Sequence, residues 1–191
     1  MADATLELAD AGSGAPDDGA AVAPPLPPDD PEAWYAPDVC AQYEVHPGVV
    51  VTISDRGSDF VYAVREPPLT ADDRTALDRI EAHFSDAHLE RPRTREGAIE
   101  RMQKGFSPKH ERVIDRLTTC SVAARRRITY HALARLACLD RLTPFALDEH
   151  IDVADTAEDG IVVHTDDYAP AATDLPPNPR FIERFASERI E

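Results

Sequence analysis

The chain has 191 residues, 42% of them hydrophobic, and a formal net charge of -16 from 36 acidic and 20 basic side chains. That length suffices for one compact domain, or for a small domain and the beginning of a second, and it excludes two full domains. Only Lys104 and Lys109 are lysines, and an acidic, arginine-biased, Ala-rich and Val-rich composition fits a protein that carboxylates keep hydrated in a salt-rich cytosol.

Residues 1–33 combine Ala, Gly, Asp and the run PPLPPDDP, with too little apolar surface to offset the entropy of ordering. A disordered acidic tail is expected there, with order beginning near Trp34 and Tyr35. Residues 43–65 carry a β-branched run at Val49 to Ile53, then Asp-Arg-Gly-Ser-Asp, then alternating Phe60, Tyr62 and Val64. This pattern predicts a β-hairpin, ended by Pro67 and Pro68.

Four helices are predicted next. Thr70 with Asp73 opens the first, which places Leu77, Ile80 and Phe84 on one face. Thr94 opens the second, with Ile99, Met102 and Phe106 at the same spacing, and Gly105 with Pro108 ends it. The third runs from about Pro108 with Val113, Ile114 and Leu117 inward. Ser121 caps the fourth, whose stripe is Ile128, Ala132, Leu136 and Leu139 with Leu133 beside it. Such helices joined by short turns make a bundle. Thr143-Pro144 then starts a short helical turn through Leu147, and Asp159-Gly160 turns into a strand from Ile161 to His164. Pro176, Pro177 and Pro179 precede a last helix carrying Phe181, Ile182, Phe185 and Ile190, expected to pack on something outside this chain.

The fold class read from these elements is α+β. An N-terminal β-hairpin packs with a bundle of three to four helices over residues 34–142, and residues 143–191 begin a small α/β domain.

Charge is segregated along the chain. Residues 1–38 hold nine acids and no base, residues 148–191 hold twelve acids against three arginines, and residues 91–141 hold thirteen basic against five acidic residues. The triplet Arg125, Arg126 and Arg127 is the sharpest polar feature, because near a helix start it opposes the macrodipole, which favours anions there. It is the candidate partner-binding site, for an acidic protein surface, this chain's own acidic tail, lipid headgroups or nucleic acid. A solvated helix face is the plain alternative.

Catalytic and cofactor motifs are missing from the sequence. The eight glycines never form GxxxxGK[ST], and Gly12-Ser-Gly14 follows no strand, so neither phosphate-binding loop is present. His83 and His88 are five residues apart, off a common helix face, and His131 reads as an ordinary packed or surface histidine. Cys40, Cys120 and Cys138 offer no Cys-x-x-Cys pair for a metal and no disulfide framework. No nucleophile motif such as GxSxG occurs. No catalytic, cofactor or metal residue is therefore assigned. With no apolar run near the roughly 18 to 20 residues that span a bilayer, and no signal-peptide pattern, a cytoplasmic location is expected.

The stretch LDRLTPFALDEHIDVADTAEDGIVVHTDDYAPAATDL, and upstream YEVHPGVVVTI with VYAVREPPLT, resemble the region that precedes the motor of archaeal type II/IV secretion ATPases, the archaellum motor included. The matching residues are Leu142-Thr143-Pro144, Ile151-Asp152-Val153, Val163 to Tyr168, and Thr173-Asp174, with Thr165 and Asp166 where that family commonly has Arg, and Asp174 for its Asn. The resemblance, closest to the haloarchaeal subgroup, implies a non-catalytic docking and regulatory module of a secretion, pilus or archaellum ATPase. Its partners would be an ATPase core or subunits and a membrane platform protein, at the inner face of the membrane. ATP, Mg and a hexamer belong to the full-length family, since no P-loop lies in this chain. The alternative from the residues themselves is a nucleic-acid-binding regulator using the Arg-rich helices, which the net charge of -16 disfavours.

Overall fold

The structure is a computed structural model that describes residues 33, 36–87, 89–157 and 160–175. The expected N-terminal tail over residues 1–33, apart from Ala33, lies outside the described residues, as do Trp34, Tyr35 and the expected last helix carrying Phe181, Ile182, Phe185 and Ile190. Within them the fold is mixed α and β, a six-stranded curled sheet with five helices.

Three strands come first: β1 (Val39–His46), β2 (Val49–Asp55) and β3 (Phe60–Arg65). They form an antiparallel meander in the order β1-β2-β3. The predicted hairpin is β2–β3, and β1 adds a strand before it. Gly48 sits at φ 82 in the tight β1–β2 turn, where a side chain would be strained, and its N–H donates to Glu44 Oε1 at 2.7 Å.

Four helices follow, each starting at the residue type that satisfies its free N–H groups. In α1 (Ala71–Phe84) Thr70 and Asp73 form a reciprocal capping box. Thr94 caps α2 (Arg95–Lys104), Ser107 caps α3 (Pro108–Leu117), and Ser121 caps α4 (Val122–Ala137). Gly105, at φ 69, ends α2 and returns its N–H to Arg101 O. The Ser121 hydroxyl accepts from Ala124 N at 3.2 Å. Ser121→Ala is expected to lower stability by about 1 kcal/mol, read as a shift in the urea midpoint at constant slope.

Helix α4 is central. Ile128, Ala132, Leu133 and Ala137 pack against Leu77, Ile80 and Phe84 of α1, Met102 of α2 and Ile114 of α3. Leu136 and Leu139 of the predicted stripe are only partly buried against this core, while Tyr130 and His131 are buried and closed by polar partners. Tyr130 donates to Glu66 Oε1 at 2.7 Å, and a ring nitrogen of His131 lies 2.8 Å from Pro67 O. His131 is thus a satisfied core histidine that ties α4 to the chain leaving β3.

A 3-10 turn (Asp140–Leu142) leads into α5 (Thr143–Leu147), then β4 (Ile151–Ala157), β5 (Gly160–Thr165) and β6 (Ala171–Thr173). The sheet order is β1-β2-β3-β6-β5-β4, and β6 pairs in parallel with β3. The boundary expected at residues 142 and 143 lies, along the chain, between strands of this one sheet. Strands from both sides complete one sheet, with Leu142, Phe145, Ile151, Ile161 and Val163 sharing a core with Val51, Ile53 and Tyr62. Each such fully buried aliphatic or aromatic side chain contributes about 1.5 to 3 kcal/mol, which favours closing one sheet over leaving two exposed edges.

Candidate functional site

The arginine triplet lies in the first half of α4, and two of its members are held inside the bundle. Arg125 Nη2 meets Glu111 Oε2 at 2.6 Å and Asp115 Oδ1 at 2.8 Å, both on α3, and Nη1 donates to Thr129 Oγ1. Arg127 donates through Nε and Nη2 to Asp73 Oδ2, at 3.1 and 3.0 Å. Asp73 is buried and also completes the α1 cap, so one carboxylate joins two helices. Burial alone raises its pKa, but hydrogen bonds from Thr70 and the Arg127 guanidinium outweigh burial and hold it below the usual 3.8. Arg126 lies on the exposed side of α4. The unfavourable dipole position of the triplet is thus offset by three acids on neighbouring helices.

This pairing reshapes α3. With 100° per residue, Val113, Ile114 and Leu117 face the core, Glu111 and Asp115 face Arg125, and Lys109, Arg112 and Arg116 share the remaining face. Those three cations are exposed, as is Lys104 at the end of α2. Exposed cations are therefore presented by α3 as well as by Arg126 of the triplet. The signal was the spacing of residues 109, 112 and 116.

A second polar centre has no local signature. Asp148, just after α5, is fully buried. Its Oδ2 accepts from Tyr43 at 2.8 Å and Tyr62 at 2.6 Å; its Oδ1 accepts from His150 N at 3.0 Å and lies 2.9 Å from His150 Nδ1. Burial, reinforced by the Asp148 carboxylate, pushes both tyrosine pKa values upward, which keeps each hydroxyl a donor. Arg95, at the start of α2, donates to the carbonyls of Ala146, Asp148 and Ile151 and fixes the same corner from the helical side.

A cavity of about 290 Å3 opens beside this corner, lined among others by Tyr43, His46, Met102, Leu147, Glu149 and His150. The tilted Tyr43 and His150 rings are 4.5 Å apart, and burial holds His46 below its ordinary pKa against the raising effect of Glu44. Among the described residues no group of three or more His, Cys, Asp or Glu side chains is placed to hold a metal ion. No helix among them is long and apolar enough to cross a membrane. No protein-family model matches the chain, and no curated protein is significantly similar to it.

Proposed function

We propose that the chain is a non-catalytic docking and regulatory module of a secretion-type ATPase, acting at the cytoplasmic face of a membrane through protein partners. The supporting observation is the Asp148 corner. The two stretches that carry the family resemblance are separated by the whole bundle, yet Tyr43 and Tyr62 of the first bind Asp148 of the second. Tyr168 of the second packs edge-on against Phe60, the residue just before VYAVREPPLT, with ring centroids 5.3 Å apart. The likeness therefore maps onto one continuous unit with a helical bundle on its side, a shape suited to presenting a surface. A phosphate-binding loop is absent from the sequence, so hydrolysis is assigned to a partner.

The test adds the intact chain to a purified haloarchaeal secretion ATPase lacking its N-terminal region, at near-native salt. Sedimentation is expected to show a complex of about micromolar affinity or tighter, with an altered rate of phosphate release. Absence of association, together with DNA binding that weakens steeply across a salt series, would replace this reading with the nucleic-acid regulator.

A further inference from the structure

We propose that the cationic face of α3 is a docking surface for this chain's own acidic N-terminal segment, residues 1–32. Lys109, Arg112 and Arg116 stand at i, i+3 and i+7, are exposed, and make no ion pair among the described residues. Among the described residues Arg112 donates to Pro108 O of its own helix. The acids that would ordinarily neutralise this face, Glu111 and Asp115, are held on the α4 side by Arg125. A like-charged stripe at one-turn spacing is left, which costs helix stability until an anion covers it.

Residues 1–32 carry eight acids and no base. They join the folded part at residue 33, and 32 residues reach on the order of 100 Å when extended, so length sets no limit. Covalent attachment gives such a segment an effective concentration near millimolar for a short link, which a free acidic peptide would have to match. The expected contact is many weak, screened pairs rather than one fixed geometry, and it weakens as salt rises. This inference rests on the α3 face alone and does not depend on the ATPase reading.

The sequence supplies its own probe, because Lys104 and Lys109 are the only lysines. Carbodiimide coupling of the full chain joins lysine to nearby carboxylates, and digestion with mass spectrometry maps each link. The expected result is coupling from Lys109 to acids within residues 1–32, in material of monomer mass, falling at least several-fold between about 0.05 and 1 M NaCl as the screening length shrinks to about 3 Å. The double variant Arg112→Glu/Arg116→Glu keeps Lys109 as the handle, alters only exposed side chains, and should lower these links several-fold while circular dichroism and the melting temperature stay near the parent's.

Three outcomes overturn the proposal. Links confined to folded-region acids mean that the segment does not reach α3, and links of dimer mass assign the face to a second copy. Absence of N-terminal links, with labelled polyglutamate binding the intact chain, assigns it to an external acidic partner.

Discussion

Asp148→Ala is expected to lower stability by about 3 to 5 kcal/mol, the largest single-residue effect in this fold outside the apolar core. The substitution removes one carboxylate but strands several donors. Tyr62 is fully buried, Tyr43 is partly buried, and the His150 N–H and ring lose the same acceptor. Each buried donor left without an acceptor costs about 1 to 3 kcal/mol, and a cavity is added. Asp148→Asn keeps the shape and part of the accepting capacity, so its cost should be roughly half as large. Tyr62→Phe removes one donor and should cost about 1 to 2 kcal/mol, with Tyr43→Phe below it because that side chain is less buried. In a double-mutant cycle, Tyr62→Phe should cost clearly less in the Asp148→Ala background than in the parent, since the hydroxyl has then already lost its acceptor. Urea unfolding at neutral pH measures all four. A loss below about 1 kcal/mol for Asp148→Ala, or strict additivity in the cycle, would show that the corner does not fasten the sheet.

The second expected result concerns Asp73 and pH. Asp73→Ala removes the return half of the α1 capping box and the partner of a half-buried Arg127, so a loss of about 2 to 3 kcal/mol is expected at pH 7. The carboxyl is depressed in the folded state relative to 3.8 in the unfolded chain. Its contribution is therefore fully present above the unfolded value and is lost as pH falls through the folded one. Parent and Asp73→Asn should differ by a constant amount from pH 7 to about 5 and converge below about 3.8. A gap that persists at pH 2 would mean that the residue acts through shape rather than charge. Arg127→Met should reproduce part of the same pH dependence, because the guanidinium is one of the causes of the depression.

Local order was legible in the sequence wherever one or two neighbouring residues decide it. Thr70, Thr94 and Ser121 mark helix starts because a hydroxyl four residues or fewer from a free N–H needs no tertiary help. Val49 to Ile53 and the Phe60, Tyr62, Val64 alternation declare strands for the same reason. Strand β1 was missed although Ala41, Tyr43 and Val45 alternate with Gln42 and Glu44, because Cys, Gln, Glu and His dilute the β-branched signal. β6 has three residues, too few for any period to show, and exists because β3 and β5 each offer it an edge.

The chain's own sequence thus determined helix limits, the β2–β3 hairpin, the absence of a phosphate-binding loop and the segregation of charge. Tertiary structure alone decided which charges face solvent. Arg125 and Arg127 look free in sequence because their acids lie ten or more positions away, and Asp148 looks like any of 36 carboxylates because its tyrosines are 86 and 105 residues distant. Pairing at that range depends on how helices and strands pack, and packing is a property of the whole core. It turned Arg125 and Arg127 into internal braces, left the α3 cations outside, and set β1 to β3 and β4 to β6 in one sheet.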